Sequence, residues 1–155
     1  MTEEELFARR PMGMRMAMVV RQWRSIIDHA ITDTGLTQSS WTVLMQLHQL
    51  GDNVSVSELA ETQGIELPPL MRKLTLLEQQ GYLQRTVSPY DKRIRLLTLT
   101  DEGRAVLKTL NQVIEAFQTR VANGIPAADI AKFSDTLNQI ACNLRNIREE
   151  NNKTD

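Results

Sequence analysis

The residues best suited to chemistry are cations gathered in one stretch. Between Leu67 and Thr100 lie Arg72, Lys73, Arg85, Lys92, Arg93 and Arg95, opposed by Glu78 and Asp91. Such a local excess is what a surface needs to neutralise the phosphates of a nucleic acid. A guanidinium does more than neutralise. Arg72 could bond guanine O6 and N7 bidentately in a major groove, and Arg93 could enter a narrow, A·T-rich minor groove. Asp91, just before Lys92 and Arg93, is placed to hold that guanidinium by a charge-assisted hydrogen bond. The residues of catalysis are thinly spread by comparison. His29, His48 and Cys142 lie far apart, there is no Gly-rich phosphate loop, and no Ser/His/Asp arrangement stands out. No enzymatic activity, cofactor or metal site is expected.

Positioning these cations requires two helices and a hairpin. Ser55 and Glu58 have the S-x-x-E spacing of a capping box, so a helix begins there and runs to Gly64, a residue free to take the left-handed conformation that ends helices. Pro68 and Pro69, tolerated in a first turn, open a second helix that stops before Gly81. On it Leu70, Leu74 and Leu77 recur at i, i+4, i+7 and form one buried face. The other face presents Pro69, Arg72, Lys73, Leu76 and Gln80, which suits a major groove or, equally, a solvated helix surface. Two β-prone runs, residues 82–87 and 94–99, flank Ser88-Pro89-Tyr90-Asp91-Lys92-Arg93, which predicts a two-stranded hairpin with a basic tip.

Asp91-Lys92-Arg93 followed by Leu99-Thr100-Asp101-Glu102-Gly103 is similar to the D-x-R…L-T-x-x-G signature of the MarR family of winged helix-turn-helix transcription regulators. The resemblance extends along nearly the whole chain and is closest to the SlyA branch, through Arg21-Gln22-Trp23-Arg24, Ile27-Asp28-His29, Leu36-Thr37-Gln38, His48-Gln49-Leu50 and Gly64-Ile65-Glu66. It implies a mainly α fold with a small β-wing, the winged helix-turn-helix flanked by long N- and C-terminal dimerisation helices. It also implies that Arg72 lies in a recognition helix and Arg93 at a wing tip, both touching DNA. Leu67 and Pro69 stand where family members commonly carry polar residues. In the SlyA branch, positions matching Arg21, Ser39 and Trp41 line a pocket for phenolic carboxylates, with Met45 where close relatives carry histidine. Arg21 would pair the carboxylate and Trp41 supply an apolar wall, unless these residues simply belong to an interhelical core.

The rest of the chain reads as helices. Residues 1–10 are polar and expected to fray. From Met12 the residues Met16, Val19, Val20, Trp23, Ile26, Ile27, Ala30 and Ile31 keep helical spacing down to Asp33, a stripe read as core. Thr37 caps a helix with Trp41, Leu44, Leu47 and His48 inward, ended by Gly51. Thr100 caps a longer one, with Val106, Leu110, Val113, Phe117 and Val121 inward and Gly124 as its stop. After Pro126, Ile130, Phe133, Leu137, Ile140, Leu144 and Ile147 step as a coiled-coil seam. Burying a Leu or Ile is worth roughly 1.5–3 kcal/mol, so this seam calls for a partner. In the MarR family the first and last helices form a homodimer, which that seam fits.

These elements divide the chain into an N-terminal dimerisation helix (residues 1–36), a winged helix-turn-helix (37–100), C-terminal dimerisation helices (101–150) and a disordered tail (151–155). Of 18 cations and 19 anions, Lys153 and six anions (Glu3, Glu4, Glu5, Glu149, Glu150, Asp155) sit at the ends, leaving 17 cations and 13 anions between. The middle of the chain is therefore basic although the whole is not. A single cysteine supports no disulfide framework and fits a reducing cytoplasm, and no apolar run is long enough for a membrane. The expected partners are a second copy of the chain, double-stranded DNA with a palindromic, A·T-rich operator, and a small aromatic carboxylate. The expected function is sequence-specific regulation of transcription at the nucleoid, by repression or by relief of silencing. The alternative is a winged-helix module that binds an acidic protein.

Overall fold

Capping chemistry sets where most helices begin. The computed structural model describes residues 1–153. Thr2 and Glu5 exchange bonds in a capping box (Thr2 N–H to Glu5 Oε2, 2.9 Å; Glu5 N–H to Thr2 Oγ1, 3.2 Å), so the expected frayed arm is instead helix α1 (Glu3–Ala8). Helix α2 (Met12–Ala30) stops short of Asp33 because Thr32–Thr34 tighten into a 3-10 turn closed by Gly35 at φ 68°. Thr37 Oγ1 accepts the Ser40 N–H and starts α3 (Gln38–Leu50), while Asp28 Oδ1 accepts the Gln38 N–H at 2.6 Å and ties α3 to α2. The Ser55–Glu58 box opens α4 (Val56–Gln63), Gly64 ends it in the left-handed region, and α5 (Leu67–Gln79) follows with two prolines in its first turn.

The hairpin strands are β2 (Leu83–Val87) and β3 (Arg95–Leu99). They pair antiparallel with Leu83 opposite Leu99 and Val87 opposite Arg95. A third strand, β1 (Val54–Ser55), joins β3 with Val54 opposite Leu97, so the sheet order is β1-β3-β2 and the two-stranded expectation is corrected. Two residues are too few to display an alternating pattern in the sequence.

Residues 1–115 form one compact unit. Its core gathers Leu70, Leu74 and Leu77 from α5 with Leu44 and Leu47 from α3, Leu59 from α4, and Leu83 and Leu97 from the sheet, all essentially inaccessible. Three leucines at i, i+4, i+7 thus fasten one face of α5 and leave the opposite face in solvent. His48, expected inward, is exposed, and the buried α3 positions include Val43 instead. On α6 (Asp101–Val121) the buried stripe is Gly103, Leu107, Leu110 and Ile114. Val106, Val113 and Phe117 are half-buried and Val121 is exposed, so the expected inward face is rotated by about one residue, sharing only Leu110.

The L-T-x-x-G run has a physical explanation. Thr100 Oγ1 donates to the Gly81 carbonyl at 2.6 Å and accepts the Gly103 N–H at 3.0 Å, and the Thr100 N–H donates to the Tyr82 carbonyl at 3.1 Å. The first turn of α6 thereby lies on the backbone at the entry to β2. Gly103 is at the point of contact, where an added Cβ would come within 2.0 Å of the Tyr82 carbonyl oxygen.

From residue 116 onward the chain forms a second compact unit comprising the end of α6, a turn at Gly124 and the helix α7 (Ala127–Asn152). None of the residues of α7 is buried. Ile130, Phe133, Leu137, Leu144 and Ile147 are all exposed, and Ile140 is half-buried. Cys142 is a free thiol, also half-buried. Helix continues to Asn152, where a disordered tail was expected from residue 151, and residues 154 and 155 lie outside the described ones. The stripe read as core on α2 is likewise uncovered within the chain. Met16, Val19, Val20 and Ile26 are exposed, and Ile27 and Ile31 are the members that reach the core.

The contact at Gly103 generates a stability prediction. Gly103→Ala should lower the unfolding free energy by about 1–3 kcal/mol, the usual cost of forcing atoms into a filled space. Urea denaturation followed by circular dichroism measures it, and an unchanged midpoint would mean that α6 does not rest on Tyr82.

Candidate nucleic-acid interface

The outward face of α5 carries fewer free polar groups than its sequence suggests. Arg72 is exposed and, among the described residues, makes no hydrogen bond or ion pair. Lys73 is half-buried, and burial, then the nearby charge of Arg24, lowers its ammonium pKa from the ordinary lysine value. It sits toward α2 rather than at the centre of the outward face. Pro69 and Gln80 are half-buried, while Leu76 is exposed.

Arg85, read from the sequence as one of the phosphate-facing cations, is engaged within the protein. Its Nε donates to Glu78 of α5 and its Nη2 donates to Thr75 Oγ1 at 3.1 Å. One guanidinium on β2 therefore grips two side chains of α5, a charge-assisted clasp that sets the helix against the sheet. Arg95 is also occupied. Its Nη1 donates to the Lys92 carbonyl at 2.9 Å, closing the loop that leads into β3.

The loop between β2 and β3 is organised by Ser88 and Asp91. Buried Ser88 donates its N–H to the Ile94 carbonyl at 3.0 Å, and its Oγ accepts the Tyr90 N–H at 3.2 Å. Asp91 Oδ1 accepts both the Arg93 N–H (3.0 Å) and Arg93 Nε (3.1 Å), while Oδ2 accepts Nη2 at 2.9 Å. The guanidinium side chain of Arg93 is nevertheless 90% exposed, so it is aimed without being covered. Its bonds to Asp91 lower the Asp91 carboxyl from the ordinary aspartate range and raise Arg93. Asp91 thus acts as a brace for Arg93 rather than as a group facing phosphate. Lys92 is exposed beside it. Sequence reasoning passed over Tyr90, which is 97% exposed at the same tip. An aromatic inside a turn with no apolar neighbour was the available signal.

The residues expected to hold an aromatic carboxylate are not gathered in a described cavity. Arg21 lines an open groove of about 540 Å³ with Gln22, Ser25 and Ile26. Trp41 is turned to α6, where its Nε1–H donates to Asn111 Oδ1 at 2.8 Å. Ser39 and Met45 are half-buried on α3. Among the described residues no cluster of His, Cys, Asp and Glu could hold a metal, and no helix is long and apolar enough to cross a membrane.

A helix, a tight turn, a second helix fastened by three leucines, and a small antiparallel sheet ending in a braced arginine define the winged helix-turn-helix class. The chain belongs to the MarR family of DNA-binding transcription regulators. Residues 34–94 match the MarR family model. The transcriptional regulator PA3341 is 30% identical over 88% of this chain and 99% of its own, with a TM-score of 0.77. The transcriptional repressor CouR, solved with a 23-mer DNA duplex, is 26% identical over 91% of this chain and 98% of its own, with a TM-score of 0.80. A MarR-family regulator from Rhodococcus sp. RHA1 is 27% identical over 83% and 91% of the two chains, with a TM-score of 0.76. The family is one of regulators rather than enzymes.

The brace at the tip has a definite pH dependence. A lowered carboxyl pKa means that the Asp91–Arg93 bond is fully present above the ordinary aspartate range and is lost only as pH falls through the depressed value. The Arg93 Nε–H resonance should therefore stay shifted and protected from neutral pH down to about 5, a unit above the ordinary aspartate value, and collapse toward free arginine in stronger acid or in Asp91→Asn. Nitrogen-15 NMR of the arginine side chains reports it, and a resonance already free at neutral pH would remove the brace.

Proposed function

We propose that the protein acts as a homodimer in which two copies of α5 enter successive major grooves of one operator while the wing tips reach the flanking minor grooves. Half-sites about one helical turn apart and related by the two-fold axis would make the operator palindromic, with A·T-rich flanks where Arg93 is received. Helices α1 and α2 and the C-terminal helices supply the dimer contacts in this reading, and residues 37–100 supply the DNA contacts.

The observation that carries the proposal is the pairing of two uncovered surfaces. One is cationic, with Arg72, Lys92 and Arg93 exposed along α5 and the wing. The other is apolar, the seam of α7 with no buried residue, and α2 carries an exposed apolar flank of its own. An anionic duplex suits the first. A second copy of the same seam suits the second, since leaving several Leu and Ile side chains in water costs roughly 1.5–3 kcal/mol each. CouR supports the DNA arm by its bound duplex, and its description as a repressor favours repression as the mode here. Placement near the SlyA branch, with relief of silencing at some promoters, rests on the motif resemblance of Arg21-Gln22-Trp23-Arg24 and Gly64-Ile65-Glu66.

Two substitutions separate the arms. Leu137→Lys combined with Leu144→Lys should convert the dimer to monomer in sedimentation velocity and abolish duplex binding with it. A dimer that survives both lysines would contradict the seam. Arg93→Ala should leave the dimer intact and weaken operator binding by about 1–3 kcal/mol in a gel-shift titration. An unchanged affinity would remove the wing from the mechanism.

A further inference from the structure

The solvent-exposed side of α5 is unusual for a surface set among cations. Over its first three turns, where a recognition helix meets base edges, the exposed side chains are Leu67, Pro68, Met71, Arg72, Thr75 and Leu76. Leu67 is 49%, Met71 37% and Leu76 46% exposed. Pro68 offers neither donor nor acceptor in its side chain. The Thr75 hydroxyl is engaged twice, donating to the Met71 carbonyl at 3.0 Å and accepting Arg85 Nη2 at 3.1 Å. Lys73 is half-buried against the charge of Arg24. Glu66 precedes the helix without a capping bond and, as an acceptor, could take at most a cytosine amino group. Arg72 is left as the one exposed donor over these turns.

The occupant of such a face must be anionic, narrow and studded with small apolar groups. Arg72 on the same helix, with Lys92 and Arg93 on the wing, makes the surroundings cationic, which disfavours a wholly apolar protein partner and favours a polyanion. A major groove about 12 Å wide accepts one helix, and among the four bases thymine alone adds a methyl group to it. Leu, Met and proline side chains have nothing to offer the hydrogen-bonding edges of adenine, guanine or cytosine, but they can cover that methyl.

Building on the reading of α5 as the DNA-recognition helix, we propose that it selects its half-site chiefly through thymine methyl groups packed on Pro68 and Leu76, with Arg72, one turn from each on the same face, supplying the hydrogen-bonded contact to a guanine beside them. The clasp of Arg85 on Thr75 and Glu78 contributes by holding the one central hydroxyl away from base readout. The preferred ligand is then duplex DNA rather than RNA of the same sequence, because uracil lacks the methyl.

The test removes the methyl without touching the protein. A duplex isolated by its affinity for the full-length protein is remade with deoxyuridine in place of thymine, one position at a time, and dissociation constants are measured by fluorescence anisotropy at fixed salt. Losing one buried methyl should weaken binding about fourfold. Two or three major-groove positions next to the guanine should respond in this way, and thymines in the flanks under the wings should not, since their methyl groups point away from the minor groove. Leu76→Ala and Pro68→Ala should bind thymine and deoxyuridine duplexes alike at the matching positions. Wild-type protein that binds every deoxyuridine duplex as tightly as the parent would overturn the thymine reading while leaving DNA binding in place. Protein that binds no duplex at all would overturn both.

Discussion

The wing and its clasp on α5 lean on a joint a few atoms wide, where the first turn of α6 rests on the backbone of Gly81 and Tyr82. Thr100 caps the helix and bonds that backbone in the same act, and Gly103 lets the two approach because it has no side chain to interpose. The strand that leaves this joint carries Arg85, whose guanidinium grips Thr75 and Glu78 of α5. The same strand runs on to Ser88, which shapes the loop that presents Arg93. Strand and tip are therefore positioned in series from this anchor, and the clasp couples α5, which its three buried leucines also fasten to the core, to the same joint.

The division of labour among the cations follows from this arrangement. Of the six in the basic stretch, Arg85 clasps α5, Arg95 is exposed but bonded to its own loop, Lys73 is half-buried, and Arg72, Lys92 and Arg93 are exposed. Affinity from phosphate neutralisation is thereby modest in the single copy, and specificity is thin. In the proposed homodimer both shortfalls would be met by doubling. Two copies sum their ionic contacts and their half-site preferences, and the seam on α7 is the surface through which that doubling is proposed to occur.

Much of this was legible in the amino-acid order. The capping box at Ser55, the double proline before Leu70, the 4–3 spacing of the α5 leucines and the D-x-R at the tip each act within a few residues, and each produced the element expected. What could not be read was set by contacts distant in sequence. Two-residue β1 exists because Val54 meets Leu97, Arg85 was diverted from solvent by Glu78, and Trp41 turned to Asn111 rather than to Arg21. The burial stripe of α6 was misassigned because Val106 and Val113 match helical spacing as well as Leu107 and Ile114 do; only the tertiary contact at Gly103 chooses between them. The helix at Thr2–Glu5 was a different failure, since it carries the same four-residue signal as Ser55–Glu58 and was overlooked.

The central claim is that two reading heads of this kind act together on one duplex. Selecting bound duplexes from a random pool with the purified full-length protein, at physiological salt, tests it most directly. The account predicts a palindrome whose half-sites lie one helical turn apart, each with a guanine among thymines and A·T-rich outer flanks. An enriched motif without two-fold symmetry, or no enrichment at all, would contradict it.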